Sequence, residues 1–184
     1  MTNLTLYSVN AFVVLDSEGN RLVSKYYDRP PLHASTYSTT KSQKALEKSL
    51  HSKMKRSGTE VMLLDGHLAL ARAVSDVHFY LVGSADENEL LLHSALKGAV
   101  DAIQGLLKHQ VDKRSVIDNL DLVVLALDEV IDDGIVAEID PEVIQARVSK
   151  RGVDNVDMNV TLNEQSLLQA YQQVKERVAS HLLK

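Results

Sequence analysis

Four carboxylates, Asp128, Glu129, Asp132 and Asp133, fall within six residues of the stretch LVVLALDEVIDDG. Oxygen clusters of this kind are what a hard divalent cation takes as ligands. A helix, however, puts residues four apart on one face and brings no ligand from elsewhere, so the spacing alone does not build a cage. The seven histidines, His67, His78 and His93 among them, are scattered without metal-ligand spacing. There is no phosphate-cradling glycine loop, nucleophile elbow or His-Glu-x-x-His motif. The chain has no cysteine, which excludes thiol chemistry. These residues predict neither a catalytic centre nor a bound cofactor or metal, and a carboxylate-metal enzyme stays only as a remote alternative.

The acidic cluster reads more naturally as the end of a buried helix. In residues 116–131 the side chains of Ile117, Leu120, Val124, Leu127 and Ile131 form a stripe at helical spacing, widened by Val116, Val123 and Val130. Asp118, Asp121, Asp128 and Glu129 gather opposite. Leu122 and Leu125 break the pattern by projecting into that acidic side, which makes them candidates for a partner's contact surface together with Asp128, Glu129, Asp132 and Asp133. Carboxylates in a last helical turn oppose the macrodipole at about 0.3–1 kcal/mol each. A cation should therefore answer them, from a partner or from Arg147, Lys150 and Arg151 on the helix that Asp140-Pro141 opens. Gly134 fits a left-handed stop, followed by an extended crossing over 135–139. The plainer alternative is a core helix with a solvated acidic end.

A second concentration of charge lies in residues 41–56, predicted helical with Leu46, Leu50 and Met54 on a narrow apolar stripe. Lys41, Lys44, Lys48, Lys53, Lys55 and Arg56 place six of the chain's twenty cationic side chains in these sixteen residues, opposed only by Glu47. In a chain of net charge −5 this is a local positive patch for an acidic partner or anionic headgroups. The alternative is an ordinary solvated helix face.

Around these two stretches the chain reads as one domain. Residues 4–15 are apolar on alternating and then on both faces, as in a central strand, and 21–28 return as its hairpin partner. Residues 30–40 read as a loop. Residues 60–64 and 67–74 form a hairpin about Asp65-Gly66, and 77–84 a fifth strand. Asp86 with Glu89 suggests a capping box for a helix over 87–109. On that helix Ala95, Gly98, Ala102 and Gly105 make a row of small residues that admits a close neighbour. The organisation predicted is a domain over 1–150, a polar linker over 151–162, and an amphipathic helix over 163–184. No window is long and apolar enough to span a membrane, no signal peptide or lipidation motif is encoded, and the acidic balance does not suit nucleic acid. A cytoplasmic protein is expected.

The order ββαβββαα, with a sheet covered on both faces, resembles the longin-like domains. The stretches LYSVNAFVVLDSEGNRLVSKYY, FYLVGSADENELLL, LVVLALDEVIDDGIVAEID and IQARVSKR are similar to coatomer zeta chains, over residues 4–151. The resemblance implies an α+β fold: a five-stranded antiparallel sheet with one helix on one face and two on the other, plus C-terminal helices. It also implies a non-catalytic small subunit of the COPI vesicle coat, bound to the coatomer gamma subunit beside other coatomer subunits. Through that complex it would reach an Arf GTPase and the Golgi membrane, in Golgi-to-ER retrograde and intra-Golgi transport. Another longin-type trafficking scaffold, such as a clathrin-adaptor sigma-like chain or a tether subunit, is the alternative.

Overall fold

The structure is a computed structural model that describes residues 6–27, 37 and 39–154. The expected helix over 163–184, the linker beyond 154 and most of the loop over 30–40 lie outside the described residues. Strand β1 (Val9–Asp16) turns into β2 (Arg21–Tyr26), and helix α1 (Thr40–Ser57) follows. Strands β3 (Val61–Leu64), β4 (His67–Val74) and β5 (Val77–Ser84) form two successive hairpins. Helices α2 (Glu89–Leu106), α3 (Lys113–Asp118) and α4 (Leu120–Val130) come next, then the short pair β6 (Ile131–Asp132) and β7 (Ile135–Val136), then α5 (Pro141–Asp154). The five long strands make one antiparallel sheet in the order β2-β1-β5-β4-β3.

Both faces of β1 and β5 are apolar, so the sheet needs cover on both sides. Ala11, Val13, Leu15, Ala69, Tyr80 and Val82 pack with Leu46, Leu50 and Met54 of α1. Phe12, Val14, Leu68, Leu70, Phe79 and Leu81 pack with α2 and α4 on the other face. Val9 joins this second core although its odd number would place it with Ala11. The register shifts between Val9 and Ala11, and the irregularity turns the strand by one residue.

Local signals account for most helix ends. Thr39 caps α1, its Oγ1 accepting from Ser42 N at 3.2 Å, and Gly58 ends it in the left-handed region at φ 64°. Helix α2 is not capped by Asp86 as expected. The cap is Asn88, whose Oδ1 accepts from Leu90 N at 2.9 Å, because the chain turns at 85–87 before the helix begins. The helix ends at Leu106, three residues short of expectation, since Lys108 and His109 adopt positive φ.

The larger departure is in 113–131. The chain forms two helices, broken at Asn119 (φ −124°, ψ 39°), so the phase of one helix is not carried into the next. On α4 the buried stripe is Val123, Ala126, Leu127 and Val130. Ile117 and Leu120, expected inside, are 51% and 41% exposed.

Two contacts tie the layers together. Glycine 98 sits against the backbone of Ile139, where a Cβ would fall on the carbonyl oxygen, which fulfils the close approach expected of the small-residue row. At Gly105 the neighbour is only the side-chain amide of Gln145. Gly98→Ala should therefore destabilise by about 1–3 kcal/mol in urea denaturation, and Gly105→Ala by less, because a backbone cannot swing away as an amide can. An equal cost at both sites would show that the Ile139 segment yields.

The second contact is Asp16, buried at the end of β1. Its Oδ1 accepts from Glu18 N (3.0 Å) and Asn20 N (2.8 Å), and its Oδ2 from Asn20 Nδ2 (3.1 Å) and Lys113 Nζ (2.8 Å). Burial alone would raise its pKa, but the Lys113 ammonium and the Asn20 and Glu18 donors outweigh this and hold it far below the usual carboxylate range. The unfolded chain then takes up the proton first. This stabilisation is complete above the unfolded pKa of about 4 and is lost as pH falls towards the folded value. Asp16→Asn should lower the urea midpoint at pH 7 and flatten the loss of stability between pH 5 and 2 in a denaturation series. An unchanged acid limb would assign acid sensitivity to other carboxylates.

Candidate partner-binding site

The four carboxylates of the central stretch do not converge. Helix α4 stops at Val130, and Asp132 and Asp133 belong to a hairpin, not to a last helical turn as expected. Asp133 (φ 48°) and Gly134 (φ 88°) occupy the two-residue loop between β6 and β7, an Asp-Gly pair suited to a primed turn. Gly134 is therefore a hairpin residue and not a helix stop, and the extended crossing expected over 135–139 begins as a paired strand. The loop lies close to β1: Val9 N donates to Gly134 O at 3.0 Å, Tyr7 bridges to Ile135, and a Cβ at 134 would stand 2.9 Å from Val9 O.

Both carboxylates in the last turn of α4 have a cation. Asp128 pairs with Lys25 of β2, 103 residues away, and nothing in the local sequence announces this partner. Burial pulls the Lys25 ammonium below its ordinary pKa. Glu129, 9% exposed, accepts from Arg147 at 3.4 Å, and the same guanidinium lies 3.5 Å from Glu138. Of the cations expected to answer the acidic end, Arg147 does so. Asp132 faces Tyr27, whose phenol is pushed up first by burial and then by that carboxylate. Among the described residues, no three histidine or carboxylate side chains are placed to hold a metal ion.

Leu122 and Leu125 do not stand free on an acidic face. With Val124 they are partly buried along the margin of the α2–α4 core, and the exposed apolar side chains are Ile117 and Leu120. The surface of this region is thus a half-buried leucine pair, two exposed aliphatic residues, and the exposed carboxylates Asp128, Asp132 and Asp133. Sequence reasoning missed Ile117 and Leu120. A break at Asn119 was the signal needed, since asparagine readily leaves helical geometry.

The basic helix is more one-sided than its sequence suggests. Glu47, expected to oppose the cations, is buried: Arg21 reaches it at 2.5 Å and Tyr26 Oη donates to it at 2.8 Å. Lys53 turns away to Asp65 at 3.7 Å, and Lys55 Nζ donates to Ser17 O at 3.0 Å. Lys41, Lys44, Lys48, Lys53, Lys55 and Arg56 are all exposed. At 100° per residue, Lys41, Lys44, Lys48 and Lys55 align within one stripe about 20 Å long.

Residues 8–155 match the family described as clathrin adaptor complex small chain. The chain is 38% identical over 180 residues to coatomer subunit zeta-1 of Homo sapiens, covering 98% of this chain and 96% of that protein. It is 39% identical over 180 residues to coatomer subunit zeta-1 of Arabidopsis thaliana (96% and 97%) and 37% over 171 residues to coatomer subunit zeta of Saccharomyces cerevisiae (89% and 89%). Among solved structures, a chain in a homology model of the full-length AP-3 complex in a stretched open conformation superposes with a TM-score of 0.59 at 15% identity. It matches 84% of this chain and 99% of its own length, a likeness of fold. The five-stranded sheet with helices on both faces is the longin-like fold expected. The chain belongs to the clathrin adaptor complex small-chain family, within its coatomer zeta group.

Proposed function

We propose that this protein acts by binding, as the small subunit that joins the coatomer gamma subunit to the rest of the COPI coat. In this reading it is cytoplasmic and non-catalytic, and it reaches Golgi membranes and coated vesicles through the complex. It supports Arf-dependent coat assembly in Golgi-to-ER retrograde and intra-Golgi transport. The observation that carries the proposal is identity of 36–39% to coatomer zeta subunits across 89–98% of this chain. No helix among the described residues is long and apolar enough to cross a membrane, which is consistent with recruitment through partners.

The gamma subunit is assigned to the surface of Leu122, Leu125, Asp128, Glu129, Asp132 and Asp133. A half-buried leucine pair beside exposed carboxylates suits an interface with an apolar centre and a charged rim. Glu129, already buried with Arg147, supports that surface from beneath. The exposed stripe on α1 is assigned to anionic headgroups or to an acidic neighbour in the coat.

Co-expression with the gamma subunit tests the first assignment. The wild-type chain should co-elute with it, whereas Leu122→Asp/Leu125→Asp should bind at least about 30-fold more weakly, as expected for losing a buried contact of about 2 kcal/mol. Because those leucines also pack on the core, Asp132→Lys/Asp133→Lys provides a companion on exposed positions, with circular dichroism confirming the fold of each. Undiminished binding by both folded variants would move the interface elsewhere, and recovery of a clathrin-adaptor or tether subunit in place of gamma would overturn the coatomer reading.

Liposome flotation of the assembled coat tests the stripe. Lys44→Glu/Lys48→Glu should reduce binding to anionic vesicles more than tenfold, since each lysine near such a surface contributes about 1 kcal/mol. Binding that is unchanged and insensitive to salt would return α1 to solvent.

A further inference from the structure

Strand β4 is longer than the strand that covers it. It pairs with β5 along its whole length, from His67↔Ser84 to Val74↔Val77, but β3 pairs only with His67–Leu70. The two-residue turn at Ser75-Asp76 makes Val74↔Val77 a hydrogen-bonded pair, so Arg72 and Val74 direct their backbone groups towards β5. Ala71 and Ala73 direct theirs to the other side. Ala71 N donates to Glu60 O at 2.7 Å, and there the covering chain ends. The N–H and C=O of Ala73 face an open sheet edge, and no described residue hydrogen-bonds them.

That edge has a cleft on each face. On the α1 face lies one of about 450 Å³, bounded by Met54, Lys55, Ala71, Ala73, His78 and Tyr80. It exists because α1 ends at Ser57 and the strand beneath contributes only the methyls of Ala71 and Ala73 here. On the α2 face lies one of about 300 Å³, bounded by Glu60, Arg72, His93, Leu96 and Lys97. Arg72 and Lys97 share a single carboxylate, Asp101, at 2.9 and 2.7 Å. At contact distance Asp101 alone answers Arg72 and Lys97; Glu60, which also lines the cleft, brings its formal charge to zero but forms no ion pair with either cation among the described residues.

We propose that this edge takes an extended segment of a partner protein as a short added strand, with a large apolar side chain next to an acidic one. Successive side chains of a strand point to opposite faces. The apolar residue would enter the cleft over Ala71 and Ala73, and its acidic neighbour would meet Arg72 and Lys97. Backbone pairing to Ala73 would supply register, and the two unlike clefts would set the order of side chains. A uniformly apolar segment would leave the Arg72–Lys97 pair with Asp101 alone, and a basic one would set a further cation against two that share a single contacting carboxylate. This surface is separate from the α4 surface assigned to the gamma subunit and does not depend on that assignment.

The test is a nuclear magnetic resonance titration of the full ¹⁵N-labelled chain with the peptide Ac-Val-Glu-Phe-Glu-Val-NH2, against Ac-Val-Lys-Phe-Lys-Val-NH2. The acidic peptide should give saturable shifts at Ala71, Arg72, Ala73 and Tyr80 and slow the hydrogen exchange of the Ala73 amide, and the basic peptide should give neither. Arg72→Glu should weaken binding at least about tenfold by removing a charge-assisted contact. Ala73→Pro should abolish the shifts by removing the free N–H, a change an open edge tolerates. If one variant fails to fold, the other and the wild-type titration still decide. No saturable shift at this edge, equal binding of both peptides, or undiminished binding by folded Ala73→Pro would overturn the proposal. So would sedimentation showing a dimer that Ala73→Pro dissolves, which would assign the edge to a second copy of the chain.

Discussion

Phe12 and Val13 are neighbours in β1, point in opposite directions, and are both fully buried. Everything else in the fold answers that requirement. A strand apolar on both sides loses the stabilisation of each exposed side chain, about 1.5–3 kcal/mol, unless helices cover both faces. Helix α1 covers one with a narrow stripe of Leu46, Leu50 and Met54. Helices α2 and α4 cover the other with a broader apolar surface that includes Leu92, Ala99, Ile103 and Leu127. The close approach of Gly98 to Ile139 allows the segment before α5 to lie directly on α2, and Asp16 fastens α3 to the end of the sheet.

Because both faces are occupied, the surfaces left for partners are helix backs and sheet edges. The back of α1 is cationic because its one carboxylate has been drawn inward to Arg21 and Tyr26. The margin of α4 is mixed, with half-buried leucines beside carboxylates whose charges are partly answered by Lys25 and Arg147. Neither region places acids, bases or nucleophiles around a common point. Both regions are surfaces of the kind a small subunit of a coat presents to its neighbours.

Legibility in the sequence followed the range of the interactions. The two-sided apolarity that ends the 4–15 stretch, the strand at 77–84, the Asp65-Gly66 turn, the stripe of α1 and the Asp140-Pro141 start of α5 depend on residues a few positions apart, and each is legible in the sequence. The row of small residues on α2 also announced a close neighbour, though not that Ile139 would be that neighbour. The candidate site was less legible. Its carboxylates need cations on local grounds, but one helical phase continued through Asn119 puts Leu122 and Leu125 on an open face and Ile117 and Leu120 inside. Asp133-Gly134 has the local composition of a helix end as well as of the hairpin the chain forms.

By itself the sequence determined which residues of the sheet and of its main helices must be buried and where most elements begin, because propensity, periodicity and capping act within a few residues. Only the tertiary structure decided that Lys25 meets Asp128, that Glu47 turns inward to Arg21, and that β4 outruns β3. Those outcomes depend on which distant segments are brought side by side by packing two helical layers onto one sheet. No local pattern carries that information, since the partners are separated by tens of residues and are chosen by the shape of the whole core.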